Sequence, residues 1–227
     1  MTDLGKGIFW CVCTLVIYLS ARKLHQRYGR WWSSPMLLTW LSCGLLICSL
    51  HRSYAEYLIG THWMIWLLGP ATVAFAIPIH RQQDLIRKHW ILLCVGVSVG
   101  SLLAFASSWG LASIFHFSPE MRASLLPRSI TTPLAMEASV RLGGGPELTA
   151  IFTAITGLFG AAVGESLLYY LPIRSSFARG ALFGMGAHGA GVARAREISH
   201  EEGAIASLIM ILAGLLNVIV AGVLSSL

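Results

Sequence analysis

Apolar runs long enough to form membrane-spanning helices recur along the whole chain, and they limit the possible folds more than any other feature. A helix needs roughly 20 apolar residues to cross the hydrocarbon core of a bilayer. Alternating strands separated by polar turns, which are typical of outer-membrane barrels, do not occur. The sequence therefore predicts an all-α integral membrane protein, a polytopic helical bundle of about 6–8 transmembrane segments. The apolar runs cover residues 7–20, 35–50, 57–79, 90–115, 119–140, 147–171, 177–193 and 203–226.

The composition excludes a soluble protein. Of the 227 residues, 56% are hydrophobic and 11% are charged, whereas soluble domains are about 25% charged. The mean hydropathy is +0.70. Since the spans use most of this length, we predict a single transmembrane domain over residues 1–227. No nucleotide-binding, nucleophile-elbow or metalloprotease motif occurs, and the cysteines lack metal-ligand spacing. We therefore expect a protein that is not an enzyme and that has no cofactor and no metal site.

The positive charge is best explained by topology. The formal charge of +6 does not indicate nucleic acid, because basic residues in membrane proteins mark cytoplasmic loops. If all eight segments cross, the loops at 21–34, 80–89, 141–146 and 194–202 share one side and hold ten lysines and arginines, against five on the other side. This predicts a multi-pass protein of the inner-membrane type, with its N-terminus outside and these four loops in the cytoplasm. The glycine-rich run 177–193 is short, so it either crosses or forms a re-entrant loop.

Two of the segments are interrupted by prolines. Pro70 and Pro78 lie within the run 57–79, and Pro127 and Pro133 bracket a polar stretch in the run 119–140. Proline lacks an N–H donor and disfavours helix in the residue before it, so we expect the backbone to unwind from residue 128 to residue 132. Non-helical backbone at that depth is tolerated where it faces protein or a wet cavity, and paired interrupted helices indicate a transporter binding site. A kink without any ligand is the alternative.

The second interruption has the chemistry of an anion site. An arginine near the middle of the membrane must have a partner, because an unpaired one costs several kcal/mol. The half-helix that begins near Thr132 or Pro133 would present free N–H groups to the gap, and these favour anions. Arginine binds carboxylates through two parallel hydrogen bonds. We therefore predict a pocket for a small carboxylate formed by Arg128, Ser129, Thr131 and Thr132, with Thr72 from the first interruption as a further donor.

Three other polar residues are candidates for proton coupling or for ion pairs. Glu137 lies about one turn along the half-helix and either pairs with Arg128, carries a proton or forms a structural ion pair. Glu165 lies deep in the run 147–171 and is either functional or a bundle-facing structural carboxylate. His188 lies in a glycine-rich stretch and is either a proton carrier or a buried structural histidine.

Several sequence runs resemble the LrgB/CidB family. They include LGPATVA at 68–74 and LPRSITTP at 126–133, followed in order by residues 135–137, 143–144, 148–150, 156–157, 178–180, 188 and 202–204. The resemblance covers about residues 54–227 and is weaker over residues 1–50. Arg128 stands where many members have lysine in a Pro-Lys-Ser-Val-Thr-Thr-Pro core, which keeps the charge but changes its geometry.

The resemblance implies two functions. Bacterial members are described as holin-like or antiholin-like partners of a small LrgA/CidA-type membrane protein, and they are linked to control of murein hydrolases and cell lysis. Other relatives are linked to transport of small carboxylates such as glycolate, glycerate and pyruvate. We expect a secondary transporter of monocarboxylates, assembled as a homo-oligomer in the lipid bilayer; regulation of lysis with an LrgA/CidA-type partner is the alternative.

Overall fold

Helices form all the regular secondary structure in the part of the chain that the structure describes. A computed structural model describes residues 3–29 and 31–225. By contacts the chain divides into two compact units, Met1–Ala71 and Thr72–Leu227, and the prediction of one domain stays a prediction. Five runs are long and apolar enough to cross a membrane, which confirms the all-α membrane fold. They are Gly5–Tyr28, Tyr54–Arg81, Gln83–Ile114, Pro146–Tyr170 and His200–Leu224.

Within the described residues, three α-helices and a short 3-10 helix, Trp31–Ser33, form most of the N-terminal unit. The α-helices are α1 (Asp3–Tyr28), α2 (Pro35–Ser49), which is apolar but short, and α3 (Tyr54–Trp66). Helix α1 packs against both α2 and α3. Its contact with α3 is close because Gly7 and Gly60 bring the two backbones together, and a Cβ atom at Gly60 would lie 2.7 Å from the Cα atom of Gly7. Beside it, the hydroxyls of Thr14 and Tyr57 lie 3.1 Å apart.

The first proline-rich stretch stays nearly helical. Helix α4 (Leu68–Val73) and helix α5 (Ala76–Arg81) follow α3 with short interruptions, and both Leu67 and Phe75 keep helical backbone angles. Pro70 and Pro78 are each the third residue of a new short helix. At that position the proline removes no hydrogen bond, because the first N–H groups of a helix lack partners in any case. The stretch is therefore a series of bends and not an unwound gap.

The C-terminal unit contains the remaining helices and two buried clusters of apolar side chains. Leu93, Ile130, Leu134 and Leu208 belong to the larger cluster, and Phe183 and Ile211 to the smaller one. The helices are α6 (Gln83–Ile114), α7 (Pro119–Leu125), α8 (Thr132–Arg141), α9 (Pro146–Tyr170), α10 (Ser176–Ile198) and α11 (His200–Leu224).

Helices α7 and α8 form a hairpin that does not cross the unit, which we call the first hairpin. Ser124 near the end of α7 and Ser139 near the end of α8 both lie against the loop before α9: the N–H of Gly145 donates to Ser124 Oγ at 2.8 Å, and a Cβ atom at Gly144 would overlap Ser139 Oγ. The connection 126–131 lies deeper, where Arg128 reaches α9. The chain therefore enters along α7 and returns along α8 to the same end.

Helix α10 also folds back on itself, and its two halves form the second hairpin. His188 has non-helical angles, φ 35° and ψ −118°. A Cβ atom at Gly191 would overlap the carbonyl oxygen of Phe183, although these residues would be about 12 Å apart in a straight helix. Gly180 and Arg196, from opposite halves, both contact the first turn of α11. The sequence predicted that the run 177–193 either crosses or forms a re-entrant loop. The structure shows the re-entrant form.

The two hairpins enter from opposite ends of the unit. The first half of α10 runs antiparallel to α9, since Gly164 lies against Phe183 and Gly157 against His188. It runs parallel to α11, since Gly180 lies beside Ile205 and Gly184 beside Ala206. Each hairpin is thus followed by a long helix, and those two helices are antiparallel, which is the pattern of an inverted repeat. The assumption that all eight runs cross does not hold for the run 119–140, which turns back, and the loops 141–146 and 194–202 lie at opposite ends.

Candidate functional site

The tips of the two hairpins meet near the middle of α9. Arg128, in the tip of the first hairpin, donates from Nη1 to the hydroxyl of Thr156 at 3.3 Å. The imidazole of His188, the tip of the second hairpin, lies against the adjacent residue, Gly157, where a Cβ atom would be 2.6 Å from its Cε1 atom. The same imidazole interacts with the backbone of Arg128. Gly157 is therefore required at this point because a side chain would displace the histidine.

The guanidinium group of Arg128 is surrounded by hydroxyl groups. Besides its bond to Thr156, its Nε donates to Ser108 Oγ at 2.9 Å and its Nη2 donates to Ser107 Oγ at 3.3 Å, both on α6. Among the described residues, no carboxylate lies within 4.0 Å of it. Three other arginines of this unit do have carboxylate partners, and they are Arg141, Arg179 and Arg194. The Arg128 guanidinium thus donates to three neutral hydroxyl oxygens and has no counter-ion among the described residues.

The other hydroxyls predicted for the pocket lie in the same tip. Helix α8 begins at Thr132, within the stretch where the sequence placed it, and Thr131 is its N-cap residue. Thr131 is 8% exposed and makes no side-chain capping bond. Ser129 and Thr132 are half-buried. Pro133 stands at the second helical position, where the N–H that it lacks would have had no helical partner. The first turn of α8 therefore adds a positive end of a helix dipole to this tip.

Neither Thr72 nor Glu137 is among the hydrogen-bond partners of the Arg128 guanidinium in the described part of the chain. Glu137 lies on the exposed face of α8, and its Oε1 is 2.8 Å from Nη2 of Arg141, one turn further along. The buried face of α8 carries Leu134, Ala135, Ala138 and Ser139. A carboxylate at 137 therefore points away from the tip, and of the three alternatives for Glu137 the structure has the structural ion pair, formed with Arg141.

Glu165 and His188 have different surroundings. Glu165 is 43% exposed and lies 2.7 Å from Nη2 of Arg194, which also pairs with Glu197. His188 is 4% exposed, and its Nε2 atom has no hydrogen-bond partner among the described residues. Glu165 is thus an ion-pair residue at a partly exposed position, whereas His188 is a buried part of the site.

The sequence did not identify the hydroxyls that hold Arg128. Ser107 and Ser108 are adjacent hydroxyl residues near the end of an apolar span, and Thr156 lies between apolar residues of α9. Single hydroxyls in apolar runs often bond to the helix backbone, so Thr156 carried no signal of its role. The adjacent pair Ser107 and Ser108 was the one signal that the sequence offered.

The family of the chain follows from comparison with known proteins. A family model described as the LrgB-like family matches residues 14–227. The chain belongs to the LrgB-like family. It is 38% identical over 220 residues to the uncharacterized protein YwbG of Bacillus subtilis, covering 97% of this chain and 98% of that protein. It is also 30% identical over 224 residues to the holin-like protein CidB of Staphylococcus aureus (strain Mu50), covering 99% and 98%. No solved structure matches.

The apolar helices and the membership in the LrgB-like family together show that this chain is a multi-pass bacterial membrane protein. The match begins at residue 14, so the family similarity includes most of the N-terminal unit, where the sequence motifs show a weaker resemblance. The two hairpins and α9 therefore lie within the matched region.

Proposed function

We propose that this LrgB-like protein is a secondary transporter of small monocarboxylates, which bind at Arg128. The observation that carries the proposal is the guanidinium group with hydroxyl partners and without a carboxylate in the described part of the chain. Arg128 is half-buried, and a charge without a counter-ion at membrane depth is costly. A bound carboxylate would neutralise it, and arginine offers two parallel donors to such a ligand.

The position of Arg128 also supports transport. It lies where two hairpins from opposite ends of the unit meet, so movement of either hairpin would open the site toward one end. Transporters with inverted repeats work in this way, with the substrate site at the interface of the repeats. Small substrates fit best, because the tips already contact each other through His188 and the Arg128 backbone.

The charges of the C-terminal unit suggest its orientation. The end at which the second hairpin enters carries most of the basic residues, and we propose that this end is cytoplasmic. If the three N-terminal apolar segments each cross, the N-terminus then lies outside. The basic residues at the cytoplasmic end are Arg81, Arg87, Lys88, Arg174, Arg179, Arg194 and Arg196, and those at the other end are Arg122 and Arg141.

The test is uptake of labelled glycolate, lactate and pyruvate into proteoliposomes that hold the purified chain, with Arg128→Ala and Arg128→Lys in parallel. Because hydrogen bonds to charged groups contribute about 1.5–3 kcal/mol, we expect Arg128→Ala to lower transport at limiting substrate by at least about tenfold. Arg128→Lys should retain part of it, since it keeps the charge.

The matched control is Arg141→Ala, which removes an arginine from an exposed ion pair and should leave uptake unchanged. Absence of saturable uptake by correctly folded protein would refute the transporter. Equal loss of protein from the membrane in both Arg128 variants would instead show that the residue is structural.

A second function, regulation of a holin-like pore, is favoured by the names of two groups of relatives. CidB proteins of Staphylococcus aureus and Staphylococcus epidermidis, which are 30% and 31% identical to this chain, are named holin-like. In that case the chain would act with an LrgA/CidA-type membrane protein, and Arg128 would contact a subunit. Vesicles that hold the chain alone would show no uptake, while co-expression with such a partner would change murein hydrolase activity.

A further inference from the structure

Glu202 is the most completely buried acidic residue in the C-terminal unit. Its side chain is 0% exposed, while every other described acidic residue between 72 and 225 is exposed or half-buried. Nη2 of Arg179 lies 2.5 Å from Oε1 of Glu202. The other carboxylate oxygen, Oε2, and Nε of Arg179 are buried and have no partner among the described residues. The pair thus forms one of the two hydrogen bonds that an arginine and a carboxylate can make.

Local structure does not require a charge at residue 202. Ser199 is the N-cap of α11, and its Oγ accepts from the N–H of Glu202 at 3.1 Å. In a capping box the glutamate would return the bond to the N–H of the cap residue. Here the Ser199 N–H donates to the carbonyl of Ala195 instead, so the carboxylate is turned away from the cap toward Arg179. A neutral glutamine would serve the helix equally well.

Glu202 lies at the base of the second hairpin. A Cβ atom at Gly180, at the start of that hairpin, would lie 2.8 Å from the Glu202 carbonyl oxygen, and one at Gly203 would lie 2.9 Å from Cα of Arg196 at its end. His188, at the tip of this hairpin, is eight residues from Gly180, which is about 12 Å along a helix. A change of charge at Glu202 therefore acts on the hairpin whose tip touches the Arg128 site.

We propose that Glu202 is the proton-binding group of the transporter, with Arg179 as its counter-charge. This inference rests on the proposed transport function. A buried carboxylate becomes neutral when it binds a proton, which lowers the cost of burying it. Arg179 is 32% exposed, so it can turn to water when the proton arrives and return when the proton leaves. Protonation thus breaks the ion pair that joins Arg179, at the base of the second hairpin, to Glu202 of α11.

Among the described residues, Glu202 forms no ion pair other than the one with Arg179. Arg196 lies beside Gly203, and the neighbours on α11, His200 and Glu201, are exposed. The two charged residues of α8, at 137 and 141, pair with each other. Helices α5 and α6 carry titratable side chains that form no ion pair with Glu202, and these are His80, Arg81, Asp84, Arg87, Lys88 and His89.

The experiment compares two transport modes in proteoliposomes, using whichever of labelled lactate, glycolate or pyruvate the unmodified chain transports. Counterflow exchanges substrate across the membrane without a proton gradient, and accumulation requires one. Glu202→Gln mimics the protonated state, so we expect it to retain counterflow and to lose accumulation. Glu165→Gln, which removes a carboxylate from the partly exposed pair with Arg194, should keep both modes.

Three results would overturn the inference while leaving the transporter in place. One is normal accumulation by Glu202→Gln. Another is loss of counterflow as well, at normal protein levels, which would make the pair structural. If Glu202→Gln does not reach the membrane, Glu202→Asp keeps an ionisable group and should accumulate substrate with a shifted pH profile; an unshifted profile is the third result. Absence of counterflow in the unmodified chain would instead refute the transporter and this inference together.

Discussion

Replacing Gly191 by alanine tests whether α10 folds back at His188. In the hairpin a Cβ atom at 191 would overlap the carbonyl oxygen of Phe183, and such overpacking costs about 1–3 kcal/mol. In a straight, continuous helix the same change would stabilise the protein by about 1 kcal/mol, because alanine is a better helix former than glycine. The two structures therefore predict effects of opposite sign.

Thermal unfolding of the purified protein in detergent, followed by tryptophan fluorescence, measures this difference. For a chain of this size a loss of 1 kcal/mol lowers the melting temperature by roughly 2–4 °C. Gly186→Ala is the matched control, since nothing lies within 4 Å of a Cβ atom there, and it should leave the melting temperature unchanged or raise it. A melting temperature for Gly191→Ala equal to or above that of Gly186→Ala would refute the hairpin.

Two further predictions concern the tip of the second hairpin and the N-terminal unit. His188→Gln should reduce uptake, because the imidazole no longer supports the Arg128 backbone, but should keep the pH profile of uptake; a flattened profile would assign the proton to His188. Gly60→Ala should destabilise the contact between α1 and α3 by about 1–3 kcal/mol, because its Cβ would meet the backbone of Gly7. Gly44→Ala, which meets nothing within 4 Å, is the control, and equal melting temperatures would contradict the close contact.

The first hairpin could be predicted in part from the sequence. Pro127 and Pro133 remove donors within a few residues of each other, so the unwound stretch and the start of α8 follow from proline chemistry alone. Proline chemistry does not predict that α8 returns to the end of the unit where α7 enters. It depends on the contacts of Ser124 and Ser139 with the loop before α9, and pairings between distant residues leave no periodic signal.

The second hairpin carries a weaker signal. The run 177–193 is glycine-rich and short, so the sequence predicted either a crossing segment or a re-entrant loop. Glycine permits close backbone contact but does not set a direction, and the reversal occurs at a histidine with positive φ. Such an angle is tolerated when surrounding contacts fix it. Glu202 was missed because it lies beside a basic loop, where an acidic residue is usually solvated, and its burial arises from the fold.

Equilibrium binding of labelled lactate, glycolate and pyruvate to the purified protein tests the central claim most directly, because it separates the site from the transport cycle. If the Arg128 guanidinium binds the carboxylate, Arg128→Ala should weaken binding by about tenfold or more, and Arg128→Lys by less. Arg141→Ala should bind like the unmodified chain. Unchanged affinity in a folded Arg128→Ala variant would contradict the account, since the carboxylate would then bind elsewhere.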